Sequence, residues 1–267
     1  MRETNTIASI RESSRIWAIG AVHGDRARLH AIHGELEPRL RQGDRLVYLG
    51  NYLGHGGEIV ETVNELLDFR RRVLAHPPLR FPSDIVYLRG SQEEMWQKML
   101  QLQFASDPVS ILNWLMSRGV EATLKAYGGA IDEATYAATG GTMQLNKWTR
   151  SLRDAQREHL GHDTLMAHLK RAATCEDGSL LFVNCGIDPQ RPLAAQSDAF
   201  WWAARSFDGI TSAYEGAARV IRGYDPDRGG FTETEFTVTL DGGCGFGGTL
   251  IAACFAPDGS ILDSFEC

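Results

Sequence analysis

Residues 46–56, LVYLGNYLGHG, are the stretch that decides the fold of this chain. An apolar run ends at a glycine and gives way to a polar turn that contains further glycines. This pattern is typical of a buried strand that delivers side chains to the carboxyl edge of a sheet, where α/β enzymes place their chemistry. The turn offers an amide, a tyrosine and a histidine but no carboxylate. It therefore has the form of a catalytic corner without the usual negative charge.

Segments on both sides repeat the order of strand, turn and helix. RIWAIGAVHG (15–24) precedes apolar residues at helical spacing, and SDIVYLRG (83–90) precedes the helical pattern EEMWQKMLQL (93–102). Residues 57–75, which follow the corner at 50–56, also have a helical pattern. Three consecutive units of this kind predict parallel βαβ structure, with all three turns on one edge of the sheet.

The second half of the chain has a different organisation. Residues 107–173 are rich in Leu, Ala and Arg and are interrupted by glycines, which predicts a helical cap. A second β region begins at GSLLFVNCG (178–186), continues through ARVIRGYD (218–225) and ends in EFTVTL, GGTLIAACF and SILDSFE, expected to be antiparallel. We expect one α/β domain over residues 1–267, with two packed mixed β-sheets flanked by helices and a helical insertion at about 107–173.

Composition excludes several classes of function. The net charge of −7 argues against a nucleic-acid partner, and no stretch reaches the roughly 18 apolar residues of a membrane helix. The five cysteines include no CxxC pair, so we interpret them as reduced thiols. The first fifteen residues lack the apolar centre of a signal peptide. We therefore expect a cytoplasmic protein with no membrane association.

Five polar corners follow predicted strands: GAVHG (20–24), GNYLGHG (50–56), RGSQEE (89–94), NCG (184–186) and RGYD (222–225). In this order they resemble GDxHG, GDxxDRG, GNHE, HAG and GH, the motifs of the PPP-type metallophosphatases. These are calcineurin-like phosphoesterases that include bacterial serine/threonine phosphoprotein phosphatases and diadenosine tetraphosphatases. WLMSRGVEATLKAYG, LFVNCGIDPQRPL and LDGGCGFGGTLIA extend the resemblance over about residues 16–265.

The resemblance implies two divalent metal ions, such as manganese, that share a carboxylate and activate a bridging hydroxide. The family's ligands there are Asp, His, Asp, Asn, His and His. Transferred to this chain, the six positions retain one imidazole and no carboxylate: Ala21, His23, Asn51, Ser91, Asn184 and Tyr224. Neutral amides and hydroxyls compensate poorly for the desolvation of a dication. The sequence therefore predicts that no metal cofactor binds.

The residues for proton transfer and phosphate binding are also substituted. The family's general acid corresponds to Gln92, and the aspartate that orients it corresponds to Gly54. The phosphate-clamping arginine corresponds to His55, which is charged only below about pH 6.5. No catalytic residue is therefore expected. A rearranged metal site that uses Cys185 and Glu93 remains an alternative.

A metal-free anion site is a further possibility at the same place. Arg205, in FWWAARSF, matches an arginine that contacts phosphate in related phosphatases. The full set of cationic candidates is His23, His55, Arg89, Arg205 and Arg222. Guanidinium groups suit bidentate recognition of phosphate. Alternatively, Arg222 pairs with Asp188 or Asp225 and replaces the metals as an internal ion pair.

The sequence thus predicts a catalytically impaired pseudophosphatase of the PPP type. Its expected role is to bind a protein or a phosphorylated ligand in the metal-free cleft. The alternative is an active phosphohydrolase with a rearranged metal site, acting on a phosphoprotein or a nucleotide.

Overall fold

The structure, a computed structural model, describes residues 7–75 and 81–267. Its strands are β1 Ile7–Ile10, β2 Arg15–Ile19, β3 Asp44–Tyr48, β4 Ile85–Tyr87, β5 Ala172–Cys175, β6 Leu180–Val183, β7 Arg219–Arg222, β8 Gly230–Glu233, β9 Thr237–Asp241, β10 Ile251–Phe255 and β11 Ile261–Glu266. Its α-helices are α1 Arg26–Leu36, α2 Ile59–Ala75, α3 Ser91–Leu100, α4 Pro108–Ser117, α5 Val120–Ala126, α6 Ile131–Thr139, α7 Thr142–Glu158, α8 His162–His168, α9 Ala199–Trp202 and α10 Ala204–Asp208.

The strands form two mixed sheets. The first sheet has the order β11-β10-β2-β3-β4, and the second has the order β1-β5-β6-β7-β9-β8. Strands β2, β3 and β4 are parallel to one another, as the three repeated units predicted. Strand β10 joins this sheet antiparallel to β2, and β11 follows it in a hairpin.

The inner faces of the two sheets share one hydrophobic core. Val47 and Leu49 at the end of β3 belong to the same buried cluster as Ile221 and Leu240 of the second sheet. Phe182 of β6 meets Phe255 of β10 edge to face, with ring centroids 6.1 Å apart. Burial of this much apolar surface is the main favourable contribution to folding. The predicted arrangement of two packed mixed sheets is confirmed.

Helices cover the outer face of the first sheet. The buried side chains of α1, α2 and α3 pack with Trp17 and Tyr48 in a second large cluster. Asp25 is the N-cap of helix α1, and its carboxylate accepts a hydrogen bond from the amide of Arg28 at 3.0 Å. Packing of α1, α2 and α3 on the sheet therefore holds the turns that follow β2, β3 and β4 at one edge of this sheet.

The predicted helical insertion contains α4 to α8, which extend from residue 108 to residue 168. Helix α7 buries Leu145, Trp148 and Leu152, spaced three and four residues apart, as expected of an amphipathic helix. The division of the chain into one domain of 1–267 with this insertion remains a prediction. Among residues 7–75 and 81–267, no helix combines the length and apolarity required to cross a membrane.

The prediction that the last three strands are neighbours was wrong in one respect. Strand β9, in EFTVTL, lies between β7 and β8 in the second sheet, whereas β10 and β11 belong to the first sheet. The glycine-rich segment 242–248 carries the chain from one sheet to the other. Strands β1 (IASI), β5 (AATC) and β8 (GFTE) were not predicted, because none of them contains a run of large apolar residues such as that of the equally short β6 (LLFV).

Candidate functional site

The polar corners of the first and second sheets meet at one point. Asn51 Oδ1 accepts hydrogen bonds from Ser91 Oγ at 3.2 Å and from the amide of Gln92 at 3.0 Å. The amide of Ser91 donates to Asn184 Oδ1 at 3.0 Å, and Asn184 Nδ2 donates to the carbonyl of Leu49 at 2.7 Å. Three of the five corners are therefore joined by direct hydrogen bonds between uncharged groups.

The first and fifth corners complete the site. The amide of His23 donates to the carbonyl of Asn51 at 2.7 Å. The amide of Ala21 donates to the carbonyl of Gly223 at 2.9 Å. The amide of Tyr224 in turn donates to the carbonyl of Asn184 at 2.8 Å. The structure thus brings together all six positions at which the sequence resemblance implied metal ligands.

Backbone strain is concentrated in these corners. His23, Asn51 and His55 have φ values of 52°, 57° and 59°, in the left-handed region that non-glycine residues seldom adopt. Each such residue costs of order 1 kcal/mol or more unless its surroundings enforce it. Gly90 is required at the contact between two corners, because a Cβ there would collide with Asn51. The contacts around these corners therefore hold a strained backbone in place.

Glu93 is a structural carboxylate in this site. Its Oε2 accepts from the amides of Asn51 at 2.8 Å and Gly90 at 2.7 Å, and its Oε1 accepts from the amide of Leu53 at 3.0 Å. Burial raises the pKa of Glu93, and these amide hydrogen bonds act in the opposite direction. Because both oxygens are occupied by the protein, Glu93 does not fit the alternative of a rearranged metal site.

The residues present do not fit a dinuclear metal centre. The amides of Asn51 and Asn184 are already hydrogen-bonded, and the remaining imidazole, His23, is surrounded by rings. Its ring centroid lies 5.2 Å from those of His55 and Phe246 and 5.5 Å from that of Tyr224. Within 7–75 and 81–267, no group of three or more His, Cys, Asp or Glu side chains could hold a metal ion. Two dications require carboxylates to offset their charge, and this donor set has none.

His23 and His55 are neutral over a wider pH range than the sequence suggested. Burial, together with the charges of His55 and Arg228, lowers the pKa of His23 to about 3. Burial and Arg228 also lower the pKa of His55 from its ordinary value of 6.5. This agrees with the expectation that His55 is charged only below about pH 6.5, and its lowered pKa means that a more acidic solution is needed to protonate it.

Gln92, at the position of the family's general acid, is fixed by two contacts. Its Nε2 lies 3.1 Å from His55 Nε2 and donates to the carbonyl of Arg118 at 2.9 Å. Its Oε1 is buried and has no hydrogen-bond partner among the described residues. Gly54 provides room for this amide, since a Cβ at that position would collide with the Gln92 side chain. The side chain can donate and accept hydrogen bonds, but an amide is too weakly acidic to act as a general acid.

Arg222 is engaged in internal ion pairs. Its side chain is 5% exposed, and its Nη2 lies 3.1 Å from Asp208 Oδ1 and 3.2 Å from Asp225 Oδ2. Its Nε donates to Thr239 Oγ1 at 2.9 Å. Of the two pairing partners considered from sequence, Asp225 is found, whereas Asp188 pairs with Arg191 instead. The guanidinium of Arg222 therefore already has carboxylate partners.

The remaining arginine candidates lie in different surroundings. Arg89 forms a 3.4 Å ion pair with Glu94 and lines a cavity of about 600 Å³ beside Trp96 and Arg153. Arg205 is exposed on α10 and forms no ion pair within the described part of the chain. Binding of an anion by His23, His55, Arg89, Arg205 or Arg222 remains a prediction.

Sequence reasoning missed two cationic residues at the cleft, Arg118 and Arg228. The Arg228 guanidinium lies 4.3 Å from the centroid of the Phe246 ring, which itself lies 4.3 Å from His55. Burial raises the pKa of Tyr224 to about 12, while the charges of Arg228 and Arg118 oppose that shift. Arg118 lies in the segment WLMSRGVEATLKAYG, but neither arginine corresponds to a ligand or phosphate-binding position of the resemblance, and no periodic pattern marks them. Only the folded loops bring them to the site.

Comparison with known proteins supports the fold. No protein-family model and no curated protein matches the chain. A crystal structure of a provisionally assigned diadenosine tetraphosphatase is similar, with a TM-score of 0.56 and 18% identity over 98% of each chain. The cold-active protein-tyrosine phosphatase of a psychrophilic Shewanella species gives a TM-score of 0.51 and 12% identity over 97% of this chain and 83% of that one. The chain therefore has the calcineurin-like phosphoesterase fold of the PPP-type metallophosphatases.

Proposed function

We propose that this protein is a pseudophosphatase, which binds a protein or phosphorylated ligand in the former substrate cleft and does not carry out two-metal hydrolysis. The observation that carries the proposal is the uncharged hydrogen-bond network of Asn51, Ser91 and Asn184. These residues occupy the positions at which the fold family holds its metals.

Asn51 is decisive because its position is the one that bridges the two ions in the family. Its Oδ1 already accepts two hydrogen bonds, and its Nδ2 lies 3.5 Å from His23 Nε2. A neutral amide cannot offset the repulsion between two dications held about 3.5–4 Å apart, as a shared carboxylate does. Without the metals, a water at this place keeps its ordinary, very high pKa and is a poor nucleophile.

Protonation of the leaving group also lacks a donor. General acid catalysis requires a group whose pKa lies near the working pH, and an amide such as Gln92 has none. His55, which contacts Gln92, has a lowered pKa and is neutral at pH 7. The residues of this site therefore supply neither the metal-activated nucleophile nor the general acid that the family reaction requires.

The alternative, an active phosphohydrolase with displaced ligands, would depend on Cys185 and Glu93. Burial raises the pKa of the Cys185 thiol to about 12, although the charge of Arg222 opposes the shift. Metals bind the thiolate, so a thiol that stays protonated is a weak ligand. Glu93 is occupied by backbone amides. These two observations favour the pseudophosphatase.

We also place the protein in a reducing, cytoplasmic environment. All five cysteines are free, and four of them are buried: Cys175, Cys185, Cys244 and Cys254. Unpaired buried thiols are usual where disulfides do not persist.

The test is a phosphatase assay combined with elemental analysis of the purified protein. We expect no hydrolysis of p-nitrophenyl phosphate above background with added manganese, and no stoichiometric transition metal. A preparation of the Asn51→Ala variant, made in parallel, controls for contaminating phosphatases because both samples should give the same background. Metal at one or two ions per chain, together with turnover that Asn51→Ala abolishes, would establish the alternative.

A further inference from the structure

A second cavity, lined by residues of α3, α7 and α8, has a volume of about 600 Å³, within the range of small-molecule sites. Among the described residues that line it, none occupies one of the six positions at which the resemblance implied metal ligands. It borders the third polar corner through Arg89 and Glu93. The cavity is therefore distinct from the network of Asn51, Ser91 and Asn184.

Part of the cavity lining is apolar. It includes Trp96, Leu100 and Met166, together with Phe104, whose side chain is largely exposed to solvent. The Trp96 indole is buried and is held in place by its Nε1, which donates to Gln156 Oε1 at 2.7 Å. An apolar or aromatic part of a ligand can therefore pack against a fixed ring and leave water.

Several side-chain amides of the lining are not used in internal hydrogen bonds. Within the described part of the chain, four of them form no side-chain hydrogen bond: Gln97, Gln101, Gln103 and Asn146. The Oε1 of Gln103 is buried and has no partner among the described residues, so it is an unsatisfied acceptor. Each amide offers both a donor and an acceptor. The lining therefore suits a ligand that itself carries an amide or hydroxyl group.

Arg153 of α7 supplies a positive charge to the same cavity. Its side chain is half-buried, and its Nη1 donates to the carbonyl of Leu100 at the end of α3. Within residues 7–75 and 81–267 it forms no ion pair with a carboxylate. A guanidinium has five N–H donors, so most of those of Arg153 remain available to an anion.

The other charged side chains of the lining have partners of their own. Arg89 pairs with Glu94 at 3.4 Å, and Asp163 lies 3.9 Å from Arg157. Both oxygens of Glu93 accept hydrogen bonds from backbone amides. The side chain of Asp163 is mostly exposed, so water and salt screen its charge. A carboxylate in the cavity would therefore find one guanidinium without a competing carboxylate partner.

We propose that this cavity binds a small organic acid that carries an amide group, as an N-acylated amino acid or the C-terminal residue of a peptide does. The ligand carboxylate pairs with Arg153, whose planar donors match its two oxygens. The uncommitted amides of the lining bind the ligand amide, and the apolar part of the ligand packs against Trp96. This inference goes beyond the proposed function and does not depend on it, because the cavity is distinct from the network of Asn51.

The experiment is calorimetric titration of the full chain with three probes. They are N-acetyl-L-phenylalanine, its primary amide, which lacks the carboxylate, and an N-acetylated glycyl-glycyl-phenylalanine peptide. The acid should bind about tenfold more tightly than the amide, because the amide loses a charge-assisted hydrogen bond. The two acids distinguish the sources, since tighter binding of the peptide indicates a peptide C-terminus and tighter binding of the single amino acid indicates a free small molecule.

Three variants test the residues of the cavity. Arg153→Gln should weaken binding of the acid about tenfold and leave binding of the amide unchanged, whereas a purely structural role would weaken both equally. Asn146→Ala should weaken both probes about threefold, because it removes a hydrogen bond between neutral groups. Arg150→Gln, an exposed arginine on the same helix, is the matched control and should bind as wild type.

Several results would overturn the inference. Absence of binding by all three probes would refute it, as would equal affinity of wild type for the acid and the amide. Discrimination between acid and amide that persists in Arg153→Gln would show that another group binds the carboxylate. Because Arg153 also contacts the carbonyl of Leu100, melting temperatures should be compared. The exposed Asn146 makes no side-chain hydrogen bond among the described residues, so wild-type affinity in Asn146→Ala would place the binding outside this cavity.

Discussion

Two neighbouring corners of the site compensate their buried polar groups in different ways. In the corner of Asn51, Ser91 and Asn184, the side chains of these three residues make hydrogen bonds with uncharged groups, and the buried carboxylate of Glu93 accepts from backbone amides. In the corner that follows β7, Arg222 is paired with Asp208 and Asp225. The two corners touch, because the amide of Gly223 donates to the carbonyl of Asn184 at 3.0 Å.

The difference shows two ways in which buried polar groups at a strand edge can be satisfied. Uncharged groups can share hydrogen bonds and leave little unsatisfied, so such a corner tolerates modest changes. A buried ion pair has no such tolerance, since removal of one partner leaves a charge without compensation. The charged corner should therefore be the more sensitive of the two.

The largest expected effect is on the charged corner. Arg222→Met should lower the free energy of unfolding by about 3–5 kcal/mol, because Asp225 would stay buried without its partner. Urea denaturation at pH 7 is the measurement. Asp208→Asn is the matched control, since its side chain is 62% exposed and exposed pairs contribute about 0–1 kcal/mol. Equal, small losses for both variants would show that the pair does not stabilise this corner.

An intermediate effect is expected where the uncharged corner depends on a single carboxylate. Glu93→Gln should destabilise the protein by about 1.5–3 kcal/mol, because an amide replaces one acceptor oxygen with a donor that opposes the backbone N–H groups. Thermal unfolding followed by circular dichroism would measure the loss.

Glu94→Gln is the control for this change, since among the described residues the neighbouring carboxylate makes two ion pairs, each at 3.4 Å, with partly exposed partners. If Glu93→Gln lowered the melting temperature no more than Glu94→Gln, the corner of Asn51 would not depend on the Glu93 carboxylate.

Acid should weaken the uncharged corner through His23. Its pKa in the folded protein is about 3, below its ordinary value of 6.5, so the unfolded chain binds a proton that the folded one does not. Stability should therefore fall as the pH drops below about 6.5, by up to about 1.4 kcal/mol per pH unit from this residue, until about pH 3. His162, with a pKa of about 4, adds to the same slope.

Urea denaturation at pH 7, 6 and 5 tests this dependence. His23→Asn, which suits the left-handed backbone at that position, should reduce the slope, whereas His168→Gln on the surface should leave it unchanged. An identical slope in His23→Asn and wild type would mean that His23 is not buried as a neutral imidazole.

Much of the fold could be predicted because alternation of apolar runs and helical patterns is a local property of the sequence. The parallel strands β2, β3 and β4 and their helices follow directly from it. The assignment of β9 and β10 to different sheets could not be predicted, because no local pattern records which sheet a strand joins. Strands β1 (IASI) and β5 (AATC) could not be predicted either, because small and polar residues leave no run of large apolar residues in them.

The order of the five corners along the sequence predicted that they would meet at one place. The ion-pair partners of the charged residues in them could not be predicted. Asp208 pairs with Arg222 from 14 positions earlier in the chain, and that pairing depends on how α10 packs against β7. The approach of Arg118 and Arg228 to the cleft likewise depends on loop conformations that a single sequence does not encode.

The central claim, that the uncharged corner does not hold a dinuclear centre, is tested most directly by calorimetric titration of the purified protein with manganese. Asn51→Asp should be titrated alongside wild type, because one carboxylate leaves the other substituted positions unable to hold the ions. We predict no binding of manganese at micromolar concentrations to either protein. Binding of two ions per chain to wild type with micromolar affinity would contradict the account.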